Sequence, residues 1–304
     1  MDRQKVLAIV GPTGIGKTSL SVWLAKQLDG EIISCDSMQV YKKMDIGTAK
    51  VTREEMQGIH HELIDVQNYN EPYNVKVFQE KCRTAIEDVV KRGKFPILCG
   101  GTGLYLKAAL YDYEFQEENE DIAYTTFLNS KTNEELVAML KEKDEKALEK
   151  IHPNNRKRLI RALQICHSGT SKSEQEDKQQ HIPLYDVYFL GLDVNRDILH
   201  DRINKRVDIM FENGLVKEVE DLFTNPETWE YTSFQGIGYK EFKDYFLKEK
   251  SIDEVKTAIK THSRQYAKRQ YTWFKNQMSV HWFEAQNRDE IYSAVKEWLM
   301  DEDK

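Results

Sequence analysis

The sequence predicts an α/β fold: a parallel sheet flanked by helices and interrupted by an all-helical insertion. Three observations carry this reading. Short apolar runs end at or near glycine, as buried parallel strands do, and segments of helical periodicity separate them. A later stretch, residues 114–182, is rich in acids and lysines and holds no strand candidate.

Taken in order, Val6–Val10 is a wholly apolar strand that runs into Gly11. Thr18–Leu28 follows as a helix, with Leu20, Leu24 and Leu28 on one stripe, and Gly30 stops it. Glu31–Cys35 reads as a second strand. Asn74–Lys91 carries Val77, Cys82, Ile86 and Val89 at helical spacing, and Gly93 is placed to end the helix. Phe95–Cys99 is the third strand and leads into Gly100 and Gly101. Strand and helix alternating at this spacing imply parallel pairing. Within the insertion, Glu134–Lys150 and Asn154–Ser168 read as helices. Tyr185–Val194 returns the chain to the sheet, and Arg196–Asn213 is a long helix closed by Gly214. Ser251 with Glu254 three residues on is a capping-box pattern. A short strand at His281–Phe283 and a helix over Arg288–Met300 complete the order. The expected organisation is a core of residues 1–113 and 183–304 with the insertion between them.

Composition narrows the class. The 304 residues contain 6 Pro and 15 Gly, too few for a repetitive or linker-dominated chain. No apolar run approaches the ~20 residues that span a bilayer, and the opening residues do not form a signal peptide. Cys35, Cys82, Cys99 and Cys166 lack metal or disulfide spacing, so a cytoplasmic, reducing setting is expected. The net charge of −7 averages over segregated patches. Val255–Phe283 and Ile151–Ser173 contain no acid, whereas acids crowd at Glu117–Asp121 and Glu174–Asp177. In the first window Lys256, Lys260, Arg264 and Lys268 recur every four residues, a stripe that suits a polyanion. Arg156, Lys157, Arg158 and Arg161 form a smaller patch in the second.

The strongest motif is Gly11, Pro12, Thr13, Gly14, Ile15, Gly16, Lys17 and Thr18, a phosphate loop set between strand and helix. Backbone N–H groups and the helix N-terminus cradle a phosphate chain, Lys17 neutralises it, and the Thr18 hydroxyl suits Mg²⁺. The motif gives a P-loop NTPase-like sheet and specifies a di- or triphosphate without saying whether it is ATP. Asp36 sits at the carboxyl end of the second strand, on the edge where such folds bind ligands. General base, indirect magnesium ligand and helix N-cap all fit it. Arg202 and Arg206, four apart, fit either a phosphate clamp or a solvated helix face. A small-molecule kinase would explain the loop and Asp36 but not the acid-free windows. A non-catalytic RNA-binding module would explain the windows but not Lys17 with Thr18.

Longer stretches resemble the bacterial tRNA dimethylallyltransferases of the IPP transferase family. They are the loop itself, Ser34–Lys42, Met44–Lys50, Gly100–Tyr105, Ile151–Asn154, Arg158–Ala162, Gly236–Tyr239 and Arg264–Gln270. The chain departs from the family pattern at Asn155 and Lys157, and it ends without the zinc finger of eukaryotic relatives. The resemblance implies that the loop holds dimethylallyl diphosphate, not ATP. It implies transfer of the dimethylallyl group to N6 of adenosine 37 in the tRNA anticodon stem-loop. Asp36 would take the amine proton, while Lys17, Mg²⁺ on Thr18 and Arg202 would assist departure of diphosphate. Asp36, Ser37, Met38, Gln39, Thr102, Arg158 and Arg161 would contact tRNA, joined by Lys260, Arg264 and Lys268 from the stripe. A cytoplasmic monomer without membrane attachment is expected.

Overall fold

The computed structural model describes residues 3–115, 121–169, 171–174 and 181–301, so most of both acidic runs lies outside the described residues. The chain divides into two compact units, Met1–Tyr111 with Pro183–Lys304, and Asp112–Ile182. The first break comes slightly earlier than the composition suggests. Tyr111 still bridges to Pro183, and its carbonyl accepts a 2.6 Å hydrogen bond from Arg83.

The larger unit is built on strands β1 (Lys5–Val10), β2 (Gly30–Ser34), β3 (His61–Glu62), β4 (Phe95–Gly100), β5 (Asp186–Asp193) and β6 (His281–Glu284). They form one six-stranded sheet in the order β3-β2-β4-β1-β5-β6, and every pairing is parallel. Its helices are α1 (Lys17–Leu28), α2 (Arg53–Met56), α3 (Val75–Lys91) and α4 (Gly103–Leu110). The smaller unit contributes α5 (Ile122–Asn129), α6 (Asn133–Asp144) and α7 (Arg156–His167). The larger unit resumes with α8 (Arg196–Glu212), α9 (Leu215–Leu222), α10 (Lys243–Phe246), α11 (Ile252–Gln277) and α12 (Arg288–Met300).

Burial on both faces of the sheet explains why the strands read as unbroken apolar runs. In β1, Val6, Ala8 and Val10 enter a core shared with α3, α4, α9 and α11. Leu7 and Ile9 face the opposite way, into a core completed by α1 and α12. The predicted caps form: Asn74 accepts from the Val77 N–H, Gly93 adopts φ 72°, and Ser251 and Glu254 make a reciprocal capping box. The smaller unit has its own core around Leu128, Leu136, Leu140, Leu159 and Leu163.

The expected continuous helix over 134–150 does not form. The buried Asp144 carboxylate accepts from the Ala147 N–H and from Ser173, which ends α6 and turns Glu145–Glu149 into a 3-10 helix. The segment after α9 gives no regular pattern in the sequence. It runs through 3-10 turns at Pro226–Glu230, Thr232–Gln235 and Lys240–Phe242. These turns bury Trp229, Phe234, Tyr239 and Phe242.

Strand register brings the carboxyl ends of β1, β2 and β4 together, with Val10 beside Gly100 and Ser34 beside Cys99. Close approach there depends on a missing side chain. A Cβ on Gly100 would collide with the Cys35 carbonyl, a backbone group that cannot swing aside. Gly100→Ala is therefore expected to destabilise the protein by about 1–3 kcal/mol, measured by urea unfolding.

Candidate active site

The loop after β1 closes on itself. Gly11, Gly14 and Gly16 take φ of 141°, 79° and 106°, values that favour glycine, and Gly16 ends in the left-handed region just before α1. Lys17 bends back so that its Nζ donates to the carbonyls of Gly11 and Pro12, at 2.9 and 2.8 Å. Ile15 points into the core. Thr13, Gly14, Gly16, Lys17 and Thr18 line a cavity of about 550 Å³, and the exposed Thr18 hydroxyl has no partner among the described residues.

Asp36 lies on the same cavity at the carboxyl end of β2. Its Oδ1 accepts from the Met38 and Gln39 N–H groups, at 2.8 and 3.2 Å. No helix follows, so the expected N-cap is a cap on a turn. The other oxygen, Oδ2, has no hydrogen bond among the described residues.

The clamp arginines part company. Among the described residues Arg202 hydrogen-bonds only the Ile15 carbonyl, at 3.4 Å, and it lines a second pocket with Asp193, Glu284 and Arg288. Arg206, one turn further along α8, enters the main cavity and donates to Thr13 Oγ1 at 3.1 Å and to the Thr48 carbonyl at 3.5 Å. Four residues advance a helix by slightly more than one turn and ~6 Å, enough to put the two heads on different sides of the loop. Resemblance points to Arg202 as the clamp; the geometry puts Arg206 beside Lys17.

Burial sets the electrostatics. It lowers Lys17 from 10.5 to about 8; Cys99 and Asp36 oppose the shift, and Arg206 adds to it. Burial also lowers the Arg206 guanidinium, against the pull of Asp36 and Glu55. Tyr266 is pushed up to about 12, first by burial and then by Asp36. The remaining wall is mixed: Ile32, Ile46, Ala49, Val51, Ile209 and Met210 form an apolar part, beside polar groups that include Asp45, Lys50, Glu55, His61 and Asn213.

Much of that wall belongs to the strap Met44–Thr52, which the sequence marks only by resemblance. Glu218 on α9 accepts from three successive strap N–H groups, those of Asp45, Ile46 and Gly47, at 2.7–2.9 Å. Tyr239 donates its hydroxyl to the same carboxylate, and its ring lies where a Cβ on Gly47 would be. Gln39 holds the strap from inside through the Ala49 carbonyl. Ser37 and Met38 do not line the cavity, and Met38 packs against Gly236.

From α11, Gln270 accepts from the Thr13 N–H and donates to the Gly101 carbonyl, both at 2.9 Å. Tyr266, one turn earlier, lines the same cavity, and Thr102 and Gln270 lie close enough to oppose the rise in its pKa. The resemblance covers Tyr266 and Gln270 in the stretch Arg264–Gln270 without giving either a role, and Glu218 is not singled out in the sequence. For Arg206 a signal exists, in the pair four apart.

The basic stripe turns largely inward. Lys256 and Lys260 both pair with Asp208 at 2.7 Å, and Arg264 hydrogen-bonds Asn204 and Thr261. Of the four, Lys268 alone is exposed with an ammonium that has no partner among the described residues. With Arg269, which lies over the Tyr266 ring, it lines an open groove along α11. In the smaller unit Arg158 and Arg161 are exposed on α7, while Arg156 is spent on the Leu128 and Asn129 carbonyls and on Asn133.

The Lys17 shift predicts how diphosphate binding depends on pH. Below about pH 8 the ammonium is already present in the free protein, so Lys17 adds no pH dependence of its own. Above it, an anion that favours the ammonium binds only with proton uptake. Titration calorimetry with inorganic pyrophosphate should show affinity falling up to about tenfold per pH unit there.

The sequence profile of the IPP transferase family matches residues 39–277. A tRNA dimethylallyltransferase of Bacillus anthracis is 49% identical over 301 residues, covering 97% of this chain and 96% of that protein. The crystal structure of full-length tRNA isopentenylpyrophosphate transferase from Bacillus halodurans is 41% identical with a TM-score of 0.75, covering 98% and 97% of the two chains. A eukaryotic dimethylallyltransferase acting on tRNA is 31% identical with a TM-score of 0.81, over 98% of this chain and 78% of that one. Sequence, fold and motif placement agree, and the chain belongs to the IPP transferase family.

Proposed function

We propose that the protein transfers the dimethylallyl group of dimethylallyl diphosphate to N6 of adenosine 37 in the tRNA anticodon loop, releasing diphosphate. One observation carries the reading: a single cavity joins two desolvated cations, a carboxylate with one oxygen unpartnered among the described residues, and an apolar strip of Ile46, Ala49, Val51 and Met210.

The diphosphate rests on the loop, with Lys17 and Arg206 facing the charge that grows as the C–O bond breaks. Arg206 takes the role that resemblance gives to Arg202. The residues also suit Mg²⁺, since the Thr18 hydroxyl, without a partner among the described residues, is a hard oxygen donor on the cavity. Bound there with diphosphate oxygens, the ion would supply further neutralisation. The prenyl tail lies along Ile46, Ala49, Val51 and Met210. The N6 amine attacks the allylic carbon, and Asp36 Oδ2 takes its proton while Oδ1 stays bound to the turn.

We assign the tRNA phosphates to the exposed cations, Lys268 and Arg269 on α11 and Arg158 and Arg161 on α7. Lys260 and Arg264 serve α8 instead. Lys268→Ala should reduce the salt dependence of tRNA binding by roughly 0.7–0.9 log units for each phosphate it no longer neutralises, whereas Lys260→Ala should leave the slope unchanged. Filter binding across a salt series measures both.

The reaction itself is tested by following labelled dimethylallyl diphosphate into tRNA in a single turnover. Label should reach tRNA with the wild type. Asp36→Asn keeps an Oδ1 that accepts both turn N–H groups, so melting temperature and tRNA affinity should stay near normal. It removes the proton acceptor, so transfer should slow at least about a hundredfold. Transfer at the wild-type rate would make Asp36 a turn-holding residue only.

A further inference from the structure

Gln270 is buried in the middle of α11, yet its amide is not spent on its own helix. One end accepts from the Thr13 N–H of the diphosphate loop, and the other donates to the Gly101 carbonyl of the loop after β4. Those partners are 257 and 169 residues away in sequence. The approach is so close that a Cβ on Gly101 would collide with Nε2, and the second loop is shaped around this amide. The first loop carries Lys17, and the second carries Thr102.

We propose that Gln270 is a positioning residue for prenyl transfer, fixing the distance between the diphosphate loop and the loop Gly101–Gly103. The inference rests on the reaction proposed above. A neutral amide is the side chain that can accept at one end and donate at the other, and so tie an N–H to a carbonyl across a gap. Neither loop needs it to exist, since each has its own strand and helix. What it sets is their separation, and hence the reach of the amine to the allylic carbon. Errors of this kind cost turnover rather than binding: a misplacement of about 1 Å can cost about 10²-fold in rate.

Gln270→Glu tests this with an internal switch. An ionised carboxylate still accepts from Thr13 but opposes the Gly101 carbonyl with a lone pair. Once protonated, its O–H donates to Gly101 and both bonds return. Burial raises a carboxyl well above its ordinary ~4.3, so the switch falls in an accessible range. Variant and wild type are compared at each pH, which cancels the titration of groups they share. At pH 8 the variant should turn over about 10²-fold more slowly, with KM for both substrates within about threefold. The variant-to-wild-type ratio should recover at least about tenfold by pH 6. Wild-type turnover at pH 8, a loss confined to KM, or a ratio that does not move with pH would overturn the proposal. If Gln270→Glu melts below the assay temperature, Gln270→Met decides. It matches the length, makes neither bond, and should lose turnover equally at every pH; wild-type turnover in it overturns the role. A wild-type enzyme that transfers no label refutes the reaction, whereas active variants of an active enzyme refute only the role of Gln270.

Discussion

Two desolvated cations in one cavity are the constraint to which the rest of the structure answers. Burial disfavours the charge on Lys17 and on Arg206, and Arg206 lowers Lys17 further. A fall from 10.5 to about 8 corresponds to roughly 3 kcal/mol of lost stability while Lys17 stays protonated. The sign is fixed by the direction: the cost is full below the folded value and is relieved as pH rises from about 8 towards 10.5. Asp36 opposes both shifts without neutralising them. What holds the ammonium in place is the loop's own carbonyl pair, partners that a diphosphate oxygen can replace. The strain is thus stored where an anion would release it, a common arrangement at functional sites.

Holding such a site open takes supports from distant parts of the chain. The strap is fixed by a carboxylate on α9, which sits in a nest of three successive N–H groups and receives the Tyr239 hydroxyl as well. Gly47 and Gly238 are needed because strap and turn meet at backbone distance; a Cβ on Gly238 would be 2.8 Å from the Gly47 carbonyl oxygen. The two glycine-containing stretches, Met44–Lys50 and Gly236–Tyr239, therefore describe one joint seen from both sides.

Legibility in the sequence follows the range of the interactions. Strand β1, helix α1, the cap of α3 and the capping box of α11 are decided by residues within a few positions of each other, and all are readable. The break after α6 is not, because Asp144 is satisfied by Ser173, far along the chain. The aromatic turns over 226–246 show no period because packing among Trp229, Phe234 and Phe242 decides them, not propensity. Spacing finds the arginine pair on α8 but cannot choose between its members. That depends on which guanidinium meets Thr13 and which meets the Ile15 carbonyl. The four-residue stripe on α11 misleads for a related reason. An acid-free stretch of helix reads as a surface awaiting a polyanion, while its counter-charge, Asp208, lies on the neighbouring helix.

Asp36 shows how an ambiguity in sequence can dissolve instead of being decided. Cap and base look like rival roles for one carboxylate, but its two oxygens have separate surroundings. Oδ1 is occupied by the turn Ser37–Gln39, which fixes the plane of the group. Oδ2 makes no hydrogen bond among the described residues, so the proton transfer proposed for this group would not compete with the bonds that hold the turn. The same logic runs through α11, where the inward residues Ala267, Gln270 and Phe274 are buried while Lys268, Arg269 and Thr272 lie on its outer side. One helix thereby joins the outer groove to the spacing of the two loops, because its inner amide spans Thr13 and Gly101.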